Sequence, residues 1–133
     1  SQAVTRLGAS LSTVDAKELP ERAQNRWKKE LANLQRILNE AGKAKDLKKL
    51  RESFSLLSQE RAVIVRTFGT GADPVYELSC SMAFGGRGAS WLQSSAKPVN
   101  PYFGKGMLSC ADQVRMIAGG EKAKGKKEGH HHE

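Results

Sequence analysis

The chain has 133 residues and a mass of 14.5 kDa, with 38 % hydrophobic residues, a mean hydropathy of −0.54 and a formal net charge of +8. That length fits a single domain with one modest core, and its longest apolar runs, such as "AVIV" at 62–65, are far too short to cross a bilayer. The basic excess invites a nucleic-acid partner, but its pattern argues otherwise: from Asp15 to Arg51 eleven Lys and Arg stand against six Asp and Glu, interspersed at helical spacings such as Glu18–Arg22. Charges so arranged mark a solvated helix face, and too few aromatics lie among them to stack bases, so no nucleic acid is expected.

Taken in chain order, the first half predicts three helices. Val4, Leu7, Leu11 and Val14 recur at three- and four-residue steps and predict a helix over 1–13, weakened by Gly8 and ended by "STVD" at 12–15. A second helix is expected over 16–41, with Pro20 in its first turn and Gly42 as its stop. Its stripe is Ala23, Trp27, Leu31, Leu34, Leu38 and Ala41. The third is expected over 46–68, with Leu47, Leu50, Phe54, Leu57, Ile64 and Phe68 on its buried face. Arg61 interrupts that stripe and is expected to lay its stem along apolar surface with its head in water. Trp27, Leu34, Phe54, Leu57 and Trp91 are expected to be largely buried.

"GTGADP" at 69–74 breaks the helical half, and "VYELSC" at 75–80 alternates like a strand. From Ser81 to Ser109 the chain carries Gly85, Gly86, Gly88, Pro98, Pro101, Gly104 and Gly106, which predicts a long ordered loop with one helical turn around "ASWLQSS". A loop of that length in a compact domain is functional or needs pinning. "ADQVRMI" is expected to return as a short strand or helix. The tail "GGEKAKGKKEGHHHE" has no large apolar residue and is expected to be disordered. The expected architecture is mainly α: an antiparallel helical bundle closed by a loop-rich C-terminal cap with a short strand or hairpin. One domain spans 1–118, and a disordered Lys- and His-containing tail spans 119–133.

The cap holds all the sulfur except Met116. Cys80-x-Met82 and Met107-x-x-Cys110 each pair a thiol with a thioether, at the two ends of one Gly- and Pro-rich segment. Thiolate and thioether are soft ligands and together favour Cu(I) or Ag(I), whereas zinc prefers imidazole and carboxylate beside thiolate, and no histidine precedes the tail. Two other readings stay open. A Cys80–Cys110 disulfide across the loop would stabilise by about 3–4 kcal/mol in the chain-entropy model. Inert buried thiols with gap-filling methionines are the other. His130–His132 can bind Cu(II), Ni(II) or Zn(II) loosely or simply be solvated. No Ser/His/Asp set, P-loop or paired-carboxylate pattern is present, and the cysteines lack C-x-x-C spacing, so an enzyme is not expected.

The stretch "CSMAFGGRGASWLQSSAKPVNPYFGKGMLSC", Cys80 to Cys110, closely resembles the signature of a domain of unknown function. That domain is found in periplasmic adaptor (membrane-fusion) subunits of heavy-metal efflux systems of the resistance-nodulation-division type, and in related exported proteins. The signature reads Cys-Pro-Met-Ala, a Gly-Ala-x-Trp-Leu block, Asn-Pro-Tyr-Phe-Gly, then Met-Leu-x-Cys. Here its counterparts are Cys80, Met82 and Ala83, then Gly88, Ala89, Trp91 and Leu92, then Asn100 to Gly104, then Met107, Leu108 and Cys110. Upstream, "RESFSLLSQ" resembles the family's Phe- and Leu-Ser-bearing helix, so the resemblance covers about residues 1 to 117. The family's frequent His-Cys-Pro-Met reads Ser79-Cys80-Ser81-Met82 here, which removes one plausible ligand, and Ala111 stands where Gly often follows the second cysteine.

The resemblance implies a periplasmic module for Cu(I) or Ag(I), with Cys80, Met82, Met107 and Cys110 as ligands. Its implied partners are efflux-pump components or a periplasmic metallochaperone, and it meets the membrane only through a larger adaptor assembly. It also implies that Trp91, Tyr102 and Phe103 pack the loop onto the bundle. The chain opens on Ser1 and is read as a mature or excised segment, so the lack of a secretory stretch says nothing of compartment.

Overall fold

The computed structural model describes residues 2–12, 16–71 and 73–119. Three long helices lead: α1 (Gln2–Ser12), α2 (Glu21–Gly42) and α3 (Leu47–Phe68). The strands β1 (Val75–Cys80), β2 (Ala89–Gln93) and β3 (Gln113–Ala118) follow, with α4 (Ala83–Gly86) between the first two and a 3-10 turn at Lys105–Met107 before the third. The chain is therefore mainly α with a small sheet. It forms two compact units, Ser1–Glu60 and Arg61–Glu133. The expected break at 13–15 and the expected disordered tail, including His130–His132, lie outside the described residues.

In the first unit the helices start and stop for local reasons. The second helix begins at Glu21 rather than residue 16, because Pro20 sits at the cap with φ −55 and ψ 152 and holds Leu19 before it away from helical backbone. Residues 16–19 form a turn instead: the Leu19 N–H donates to the Ala16 carbonyl, and the Gln24 amide donates to the carbonyls of Lys17 and Leu19. Asp46 caps α3, its carboxylate accepting the Lys49 N–H at 2.8 Å and its carbonyl accepting the Leu50 N–H.

Leu34, Ile37 and Leu38 of α2 are almost wholly buried, each contributing roughly 1.5–3 kcal/mol relative to exposure. Leu34 is almost wholly buried and Trp27, Phe54 and Leu57 are largely so, as expected. Leu47, expected inside, is 58 % exposed, because it is the first residue of α3 beside the turn. The deepest residues of α3 are instead mostly small or polar: Ser53, Ser55, Ser58, Glu60 and Ala62, with Val65. Asn33 of α2 donates to Glu60 Oε2 at 3.0 Å, and the other Glu60 oxygen is buried without a partner among the described residues.

The second unit is organised by β1, the central strand of an antiparallel sheet ordered β2-β1-β3. Its expected bounds, 75–80, are those observed. The helical turn expected around "ASWLQSS" is strand β2, since Trp91 pairs opposite Leu78 and both are almost wholly buried. "ADQVRMI" takes the strand alternative as β3. Glu77 Oε1 accepts from Arg66 of α3 at 2.5 Å and from Arg115 of β3 at 3.0 Å, tying helix end and sheet together. Gly119 closes β3 at φ +84, where a Cβ would lie 1.9 Å from the Asp73 carbonyl oxygen, so only glycine fits.

Candidate metal centre

Cys80 ends β1 and Cys110 precedes β3, so the sheet itself brings the two loop ends together. The Asp112 N–H donates to the Ser79 carbonyl at 2.7 Å, and Asp112 Oδ2 accepts the Ser81 N–H at 2.5 Å. Both bonds flank Cys80 and fix the chain two residues beyond Cys110. The Cys80 and Cys110 sulfurs lie 2.8 Å apart; Cys80 has no exposure and Cys110 is partly exposed.

From Cys80 the chain turns sharply. Met82 precedes α4, a single irregular turn in which Phe84 adopts left-handed backbone at φ 52 and ψ 48. A bulky residue rarely accepts that conformation, and here its ring is held from two sides. It lies 5.4 Å from the Tyr102 ring, and the Arg87 guanidinium sits 5.6 Å from its centroid. Tyr102 also meets Trp91 edge-on at 6.0 Å, and its hydroxyl donates to the Ser90 carbonyl at 2.5 Å. Trp91 and Tyr102 thus pack the loop against the sheet of their own unit.

Two amides that sequence reasoning missed hold the rest. Gln93 Oε1 accepts from the Trp91 indole N–H at 2.6 Å and the Val99 N–H at 2.7 Å, while its amide nitrogen donates to the Ser95 and Lys97 carbonyls. Asn100 is 1 % exposed: its amide nitrogen donates to the Cys110 carbonyl at 2.8 Å, and its oxygen accepts the Tyr102 N–H at 2.7 Å. Its own N–H donates to the Leu108 carbonyl. The Asn-Pro pair signalled a turn at this position, but nothing in the sequence showed that the side chain reaches ten residues ahead to the cysteine.

The structure thus brings the two cysteines together, with each methionine two or three residues from one of them along the chain. Met82 is 57 % exposed, two residues past Cys80. Met107 is partly buried at the end of the 3-10 turn, its carbonyl accepting the Cys110 N–H at 3.2 Å. Among the described residues no three His, Cys, Asp or Glu side chains converge, so any ligands beyond the two thiols would have to be thioethers or come from outside.

The Cys110 thiol is pushed up to about 11, first by its hydrogen bond to Cys80, then by desolvation and the nearby charges of Cys80 and Asp112. Asp112 is held below the ordinary carboxylate range by hydrogen bonds from the Ser81 hydroxyl and N–H. Geometry limits the chemistry further. Two sulfurs each about 2.3 Å from one ion sit about 3.8 Å apart when tetrahedral and about 4.6 Å apart when linear. A disulfide needs about 2.05 Å. The observed 2.8 Å lies between these, so either outcome requires Cys110 to move by only about an ångström or two.

No helix among the described residues is long and apolar enough to cross a membrane. No curated protein and no solved structure matches the chain. Residues 1–73 match the model of a family described as "Protein of unknown function (DUF3347)"; the match ends two residues before β1 and leaves the sulfur-bearing segment outside it. On that match over more than half its length, the chain belongs to this family of unknown function.

Proposed function

We propose that the chain is a soft-metal module that takes up Cu(I) or Ag(I) through Cys80 and Cys110, assisted by Met82 and Met107. The observation that carries the reading is the meeting of the only two cysteines at 2.8 Å, each with a methionine two or three residues away. Thiolates supply charge and most of the affinity, while thioethers add neutral soft donors that a partner's methionines can displace one at a time. An exposed Met82 suits such exchange. The resemblance at Cys80–Cys110 supports a role in periplasmic heavy-metal efflux, as part of a membrane-fusion adaptor or an exported relative. The module would exchange metal with pump components or a metallochaperone, perform no catalysis and bind no nucleic acid.

Titration with Cu(I) and with Ag(I) under strong reductant tests this, against a chelator of known affinity. One equivalent is expected to bind tightly. Cys80→Ser is expected to abolish tight binding, and Met82→Leu to weaken it while preserving packing volume. Binding of Cu(I) by Cys80→Ser as tight as by the parent would refute the assignment.

A second reading is a disulfide-stapled structural or docking domain that binds no metal. What favours it is the same 2.8 Å, closer than two ligands of one ion can stand. Counting free thiols on protein isolated without reductant separates the two: two favour the metal, none the staple.

A further inference from the structure

We infer that the reduced Cys80–Cys110 pair converts Cu(II) to Cu(I), giving up two electrons as it closes to a disulfide. The inference concerns the pair assigned above but not its affinity for Cu(I), so each can fail alone.

Three features of the site carry it. The sulfurs are 2.8 Å apart, close enough that a sulfur losing one electron meets its partner without a search. Their exposure is unequal: an aqueous ion reaches the partly exposed Cys110, whereas Cys80 is wholly covered. Finally, the backbone on both sides is pinned by side chains other than the cysteines, through Asn100 to the Cys110 carbonyl and through Asp112 to the Ser81 N–H. The pair can therefore change its bonding without the loop coming apart.

The step balances as follows. A first Cu(II) takes one electron from the Cys110 sulfur and leaves as Cu(I). The Cys80 sulfur bonds to the oxidised Cys110 sulfur, and the resulting three-electron bond passes its extra electron to a second Cu(II). Two S–H bonds break, one S–S bond forms, two protons go to solvent, and two Cu(II) become two Cu(I). The reaction is stoichiometric, since a further round needs an external thiol to reopen the disulfide. Met82 and Met107 are thioethers and take no part in that bond, so soft donors for the product ion persist after the thiols are spent.

The test mixes the reduced full chain, free of reductant and oxygen, with Cu(II) and a chromogenic Cu(I) chelator strong enough to strip the protein. Two Cu(I) per chain, loss of both thiols, monomeric product and a rate constant independent of protein concentration are expected. Fewer than one Cu(I) per chain, or product that is a disulfide-linked dimer, overturns the inference. Cys110→Ser, which retains the covered thiol alone, is expected to react at least tenfold more slowly. Cys80→Ser is expected to yield one Cu(I) per chain and a dimer, at a rate that rises with protein concentration. Helicity by circular dichroism shows that each variant is folded, and two Cu(I) per chain from either folded variant would refute the pairing. Retention of Cu(I) under reductant, measured separately, bears on the metal-uptake proposal alone.

Discussion

Replacing Asn100 by Ala removes one side chain of almost no exposure and two hydrogen bonds, to the Cys110 carbonyl at 2.8 Å and from the Tyr102 N–H at 2.7 Å. A buried group left without its partner costs about 1–3 kcal/mol. Tyr102 is only 6 % exposed, so its N–H should bear the full penalty, while the Cys110 carbonyl belongs to a partly exposed residue that water can reach. The sum is about 2–4 kcal/mol for the second unit. Urea unfolding of the reduced protein, followed by Trp91 in a background where Trp27 is Phe, measures it. The same loss should appear at the thiols: once Cys110 is untethered, the equilibrium for closing the disulfide with glutathione should shift toward the open form. Asn100→Asp sharpens the case, since it keeps the volume but aims an acceptor at the Cys110 carbonyl. A buried acid there would have a raised folded pKa, so its stability is present at low pH and lost as pH rises through that value. A loss below about 0.5 kcal/mol in Asn100→Ala, within the ordinary range for surface changes, would refute the pinning role.

Three further outcomes follow from the same structure. Gly119→Ala should destabilise by more than the roughly 1–2 kcal/mol of left-handed backbone alone, because its Cβ would meet the Asp73 carbonyl; an unchanged urea midpoint would show that β3 ends otherwise. Asp112→Asn should flatten the acid limb of stability. The Asp112 carboxyl is depressed, so its contribution is present above the unfolded value near 4 and lost as pH falls through the lower folded one, and equal acid sensitivity in the variant would count against it. Phe84→Ala should loosen the loop by removing the ring between Tyr102 and Arg87 while leaving the backbone strain, and proteolysis between residues 81 and 110 no faster than in the parent would contradict this.

The legible parts of the fold were those that short-range physics decides. Strand β1 could be bounded to the residue because Pro74 precedes it and its alternation is clean, and α3 because Asp46 caps it. The start of α2 was misplaced by reading Pro20 as tolerated inside the first turn, when its effect on Leu19 keeps the preceding residues out of the helix. β2 was not legible, since "ASWLQ" becomes a strand only through pairing Trp91 with Leu78 far from it in sequence. The stripe on α3 failed at Leu47 and overlooked Ser55, Ser58 and Ala62, because a hydrophobic pattern does not register small or polar side chains that the fold buries. Of the candidate site, the meeting of the cysteines could be foreseen; the amides that arrange it could not.

A span of thirty residues rich in Gly and Pro has little core of its own, and from sequence it is natural to suppose that a sulfur link must join its ends. The structure supplies other joints. Asp112 ties the outgoing chain to Ser79 and Ser81, Asn100 ties the loop to Cys110, Gln93 gathers the carbonyls of Ser95 and Lys97, and Tyr102 seats the middle on Trp91. With the ends already joined by oxygen and nitrogen, a disulfide would add to stability without being needed to make the loop. The two thiols are then free to change state, and a pair held in register by its surroundings is preorganised for an incoming soft ion or for oxidation alike. The pinning side chains, more than the cysteines they position, are therefore where the proposed chemistry of this loop is most open to test by mutation.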